Sequence, residues 1–225
     1  MNQIDCTASA EDRSRFFWWL GEWFLRPPKQ EQLASLSVDL EKVRTADAAD
    51  DLEAAWLALS ALAPSSDDAT RERLGAEFTR LISGIQEGLG PPPPFESVWR
   101  ENRLIGESTV AVIQAYGQAG FAEIDLEAGP QDHLSVELKF IALLALREAQ
   151  AWQADDPSTA RQRATQQLDF LHAHLGAWVP RWADAIIEQA REPLYAALAG
   201  LLKAGLLQAS AELQDTMGAT ARAQV

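Results

Sequence analysis

Asp132 and His133 set a carboxylate directly beside an imidazole, the residue pair in this chain best suited to chemistry. Such a pair activates a hydroxyl when a serine lies within hydrogen-bond reach and an oxyanion loop faces it. Ser97 is a candidate hydroxyl, yet no Gly-x-Ser-x-Gly elbow surrounds it and no oxyanion loop is evident. A helical hydrolase using Asp132 and His133 is one reading, and it lacks its other parts. Zinc takes closely spaced Cys and His ligands, and here there are three histidines and one cysteine. His172 and His174, two apart on an expected helix, point about 200° apart around its axis and cannot chelate together. Cys6 stands alone, so no disulfide forms within the chain, as expected of a reducing compartment. Neither a phosphate loop nor a Gly-x-Gly-x-x-Gly turn is present. No metal and no cofactor is expected.

The same residues read differently as a binding surface. As a helix N-cap, Asp132 would accept a hydrogen bond from a first-turn amide, worth about 1 kcal/mol, and keep lone pairs for a partner. Glu137, four residues after His133, shares its helix face and would pair with the imidazolium. The run Pro91-Pro92-Pro93-Pro94 favours an extended polyproline II rod. That rod is either a rigid spacer or a mount holding Phe95, Glu96, Ser97 and Trp99 in fixed directions. Trp99 joins a wide apolar face to a single N–H donor, a combination that anchors peptides.

The elements that must position these residues are helical almost throughout. Phe16, Trp19 and Trp23 fall at helical spacing in 12–25, which Pro27-Pro28 stops. Further helices are expected at 31–43, at 48–62 capped by Thr45-Ala46-Asp47, and at 69–85 after the turn and cap 64–68. The last carries Leu74, Phe78, Leu81, Ile82 and Ile85 as its stripe. Helices at 104–119 and 133–154 flank an acidic loop at 123–129. Asp156-Pro157 opens the next helix, which Pro180 should kink or split near Val179. Pro193 opens the last. No alternating strand or fixed-period repeat is visible. The fold class is all-α, a single-domain bundle of about nine helices. It spans 11–212, with a hinge expected at 88–103 and flexible ends at 1–10 and 213–225.

The chain of 225 residues, 47% hydrophobic and 23% charged, is long enough for one sizeable core. Its formal charge of −14 argues against nucleic acid, which needs clustered Lys and Arg, and favours basic peptides. The start lacks the basic residues of a secretory signal. The run 16–20 is too short to span a bilayer, and the apolar stretch 194–207 suits a buried helix, so stable membrane insertion is not expected.

Taken together, Pro93-Pro94-Phe95-Glu96-Ser97-Val98-Trp99 and Pro130-Gln131-Asp132-His133-Leu134, continuing into Val136-Glu137-Leu138, resemble the paired motifs of the TorD/DmsD family. These are maturation chaperones for exported molybdoenzymes, related to the NarJ-type nitrate reductase chaperones. Glu77-Phe78-Thr79-Arg80-Leu81-Ile82 and Phe170-Leu171-His172-Ala173-His174-Leu175-Gly176-Ala177-Trp178 resemble further family segments, so the likeness spans about residues 10–210. Two positions depart from the pattern. Gly129 stands where the family often has an acidic residue, with Glu127 further back, and Trp99 stands where many relatives have tyrosine.

The resemblance implies a cytoplasmic, all-helical protein without catalytic turnover. It would bind an apo-molybdopterin oxidoreductase catalytic subunit, its twin-arginine leader peptide, or both, and assist cofactor insertion before export. The binding residues would be Pro94, Phe95, Glu96, Ser97, Trp99, Pro130, Asp132, His133 and Glu137. Asp132 and Glu96 would meet positive charge, His133 would shape the groove, and Phe95 and Trp99 would take the apolar part of the leader. A monomer or a domain-exchanged homodimer is implied, and weak guanine nucleotide binding stays open. A helical scaffold whose proline loop binds some other protein remains an alternative.

Overall fold

The computed structural model describes residues 3–44, 48–62, 64–84, 88–122, 124–125 and 128–222. Ten α-helices follow one another: α1 (Gln3–Leu25), α2 (Gln30–Val43), α3 (Asp50–Ser60), α4 (Asp68–Leu81), α5 (Glu96–Glu101), α6 (Glu107–Gln118), α7 (Leu134–Gln153), α8 (Pro157–Phe170), α9 (Gly176–Gln189) and α10 (Pro193–Arg222). A π-turn, Leu171–Leu175, joins α8 to α9. Because those two run on as one rod, nine separate rods stand among the described residues. The expected caps Thr45, Ala46 and Asp47, and also Ile85, Glu123 and Glu127, lie outside the described residues.

The centre is α7. On it α1 packs nearly lengthwise, α8 covers another side, and α10 closes the bundle against α9 and α3. The reason is the shape of the apolar stripes. Phe16, Phe17, Leu20, Trp23 and Phe24 of α1 are buried, as are Leu138, Ile141, Leu144 and Ala145 of α7. Edge-on aromatic pairs tie in other helices, with Phe24 at 5.1 Å from Trp182 and Phe16 at 5.7 Å from Trp56. On length and composition α10 is apolar enough to cross a membrane, its Pro193–Met217 stretch averaging a hydropathy of 1.3. Its Leu194, Tyr195, Leu198, Leu201 and Leu202 are instead buried in the core.

Several boundaries differ from those expected. The first helix begins at Gln3 rather than residue 12, because Cys6 and Ala10 give its first turns a buried side. The last helix runs to Arg222, with Leu213 and Thr216 buried, so 213–222 is helix rather than tail. Residues 96–101 form a short helix, not the end of an extended loop. Pro180 sits inside α9 without splitting it near Val179. Proline has no N–H to offer the carbonyl of residue 176, and its ring crowds that carbonyl. The irregularity falls one turn earlier, as the π-turn. A Cβ on Gly176 would stand 2.7 Å from the Leu171 carbonyl oxygen, so a glycine is required there.

One buried polar cluster holds four helices together. Arg13 of α1 meets Glu148 of α7 at 2.7 Å and Glu212 of α10 at 3.2 Å, and the amide of Gln167 of α8 donates to Glu148 at 2.7 Å. Arg13 is 4% exposed and Glu148 1%. Removing one partner leaves the other charge stranded in low dielectric, which costs about 3–5 kcal/mol. Arg13→Leu is therefore expected to lower the melting temperature by roughly 10 °C. A circular-dichroism melt within about 2 °C of wild type would contradict this.

Candidate functional site

The proline loop and the Asp132–His133 corner meet. Phe95 and His133 form an antiparallel β-bridge. The Leu134 amide donates to the Pro94 carbonyl at 2.8 Å, and the Glu96 amide donates to the Asp132 carbonyl at 2.9 Å. The rings of Phe95 and His133 stand edge to face at 4.9 Å. Trp99 donates its indole N–H to the Pro93 carbonyl at 3.1 Å, so that donor is already engaged inside the loop.

Asp132 does not cap its own helix. Its Oδ2 accepts the Ser97 amide at 2.9 Å, thirty-five residues back, and so caps α5. The N-cap of α7 is His133, whose Nδ1 accepts the Ser135 amide at 3.2 Å. Burial pushes the His133 pKa down to about 4, against the opposing pull of Asp132 and Asp125. A neutral ring whose Nδ1 lone pair is engaged, beside a carboxylate used as a cap, is not an acid–base dyad. The loop before Asp132 is fastened from both sides. Tyr116 donates its hydroxyl to the Gln131 carbonyl at 3.0 Å, and the Gln131 side chain bonds the Ile124 amide and the Asp125 and Gly129 carbonyls. Gly129 has φ of 80°, a left-handed conformation that glycine adopts without strain.

Glu96, Asp132 and Glu137, expected to line a groove, are all fully buried in the free chain. Each has internal work. Glu96 receives Arg100 of its own helix at Oε1 and His174 at Oε2, the latter at 2.9 Å. Glu137 pairs with no imidazolium; its Oε2 accepts the Trp178 indole N–H at 3.3 Å. Its other oxygen has no donor among the described residues, and the side chain lies beside that of Glu96. Burial first, then the Glu96 charge, lift its pKa well above the ordinary value, so Glu137 holds a proton that it shares toward Glu96.

Phe95, Trp99 and Pro130 are half-buried and Pro94 and Ser97 buried, so all nine expected residues gather at one corner. His174, Trp178, Tyr116 and Arg100 belong to it too, and sequence reasoning left them out. The signal for two of them was the four-residue step from His174 to Trp178, which sets both on one face. Outside, the corner is rimmed by guanidinium groups. Arg181 donates to the Trp99 carbonyl at 2.8 Å, and Arg103 pairs with Glu101. Glu101 in turn caps α6 through the Glu107 and Ser108 amides, and the Ser108 side chain first, then these amides, hold its pKa down at about 2.

The family described as nitrate reductase delta subunit matches residues 45–184. Over 200 residues the chain is 34% identical to a Tat proofreading chaperone DmsD of Salmonella typhi, covering 86% of this chain and 87% of the relative. The chain belongs to the TorD/DmsD family of maturation chaperones. A chaperone protein TorD of Vibrio cholerae is 27% identical over 205 residues, 88% of this chain and 90% of that one. The fold is shared with a redox enzyme maturation protein of Archaeoglobus fulgidus, at a TM-score of 0.50 and 19% identity, over 84% of this chain and 88% of the other. Both motif loops and the central helix α7 of this TorD/DmsD relative lie inside the matched region.

The shared proton has a pH signature. Glu137 holds it in the folded state above the ordinary pKa of 4.5, where an unfolded chain has released it. The stability it contributes is complete below that value and is lost as pH rises through the raised one. His133 works the other way: its contribution is lost as pH falls from the ordinary 6.5 to about 4. Glu137→Gln keeps the shape and neutrality of the protonated side chain. Its melting temperature relative to wild type should climb as pH rises above 4.5, and a flat difference would remove the shared proton from the account.

Proposed function

We propose that the chain is a cytoplasmic, non-catalytic chaperone. In this reading it binds an apo-molybdopterin oxidoreductase catalytic subunit through its twin-arginine leader and assists cofactor insertion before export. The observation that carries this is the joined corner: two half-buried aromatic rings, Phe95 and Trp99, mounted on backbone bridged to Asp132–His133, in a chain kin to DmsD and TorD chaperones. Rings held this rigidly lose little entropy when a peptide packs on them. Exposed Leu104 and Ile105 extend the apolar ground just past α5, at 52% and 65% exposure. The net charge of −14 favours encounter with a basic leader at long range.

The test is titration of a fluorescent twin-arginine leader peptide into the purified chain. The double variant Trp99→Ala with Asp132→Asn, checked for folding by circular dichroism, is expected to bind more than about tenfold more weakly. Unchanged affinity in a folded double variant would refute the site.

A further inference from the structure

Arg100 occupies an odd position for a structural residue. It reaches the fully buried Glu96 carboxylate while its own side chain is 40% exposed. The same nitrogen, Nη1, also donates to the Ala173 carbonyl at 3.0 Å, in the π-turn. Two acceptors on different elements thus converge on one guanidinium nitrogen, from the side open to water. Register shifts of this kind alter the pairing of helix carbonyls and recur at ligand sites. Oδ1 of Asp132, on a fully buried residue, has no donor among the described residues. A guanidinium carries five N–H donors, and Arg100 meets both acceptors with a single nitrogen. A guanidinium arriving from outside is free to give one nitrogen to Glu96 Oε1 and another to the Ala173 carbonyl, while His174 keeps Oε2. The contact it would replace is an ion pair between residues four apart on a short helix, whose Arg100 end is 40% exposed and open to exchange with an incoming guanidinium.

We propose that Glu96 and the Ala173 carbonyl form a guanidinium subsite, filled by Arg100 in the free chain and taken over by an arginine of the leader. This rests on the leader-binding reading above and adds to it an internal competitor. Arg100 lowers apparent affinity by the fraction of time it holds the subsite, and it swings into solvent when displaced.

Two synthetic peptides test this, one with adjacent arginines before an apolar stretch, the other with citrulline in both places. Arg100→Ala is expected to bind the arginine peptide about five- to tenfold more tightly than wild type. The gain should vanish with the citrulline peptide and in Arg100→Ala combined with Glu96→Gln. As a check without mutation, the side-chain N–H signal of Arg100 in nitrogen-labelled wild type should move toward its free-solvent position as arginine peptide is added. Equal or weaker binding by Arg100→Ala, or a stationary Arg100 signal on a chain that binds, overturns the subsite alone. Failure of both proteins to bind either peptide overturns the leader-binding reading itself, and the subsite with it.

Discussion

A helix of six residues does not hold itself in water, since the cost of its first turn exceeds what so few bonds return. The helix α5 exists because residues thirty-five positions away complete it. Asp132 supplies a carboxylate to the Ser97 amide and a carbonyl to the Glu96 amide, and Pro94 receives Leu134 in exchange. Everything at the corner follows from that borrowed cap. It sets the direction of Trp99, seats Glu96 against His174, and brings Arg100 to the surface beside the π-turn.

The same constraint explains an unusual distribution of charge. Three carboxylates lie inside, and the guanidinium groups lie outside. Buried carboxylates so close together are tolerated only because each has a duty: one caps a helix, one is ion-paired, and one keeps its proton. A chain with a formal charge of −14 thereby shows a partly cationic rim around its most aromatic corner. Long-range attraction to a basic peptide and short-range contact at this rim are separate matters. The first comes from the whole surface, the second from whichever internal groups the peptide displaces.

Much of this was legible in the residues. Asp67 caps α4 and Asp156 with Pro157 opens α8, as their side chains dictate. The meeting of the two loops followed from paired motifs. What was not legible has physical causes. The helix α5 is too short for a periodic stripe, and its cap lies far off in sequence. Nothing in a run of letters marks Asp132 as buried, because a carboxylate is ordinarily at the surface. Pro180 was expected to kink or split its helix near Val179, yet α9 runs through it, and the irregular turn lies at Leu171–Leu175. His174 was left out of the binding residues because its partner, Glu96, sits on a helix that had not been recognised.

That irregular turn has a geometric consequence. Each residue added to or taken from a helical rod rotates all that follows by about 100°. The extra residue absorbed at Leu171–Leu175 therefore sets the azimuth of Trp178 and Trp182 relative to α8, and with it the phase in which α9 offers its indoles to Glu137 and Phe24. The C-terminal half of the bundle is indexed to the N-terminal half by one surplus residue, as a gear is by a single tooth.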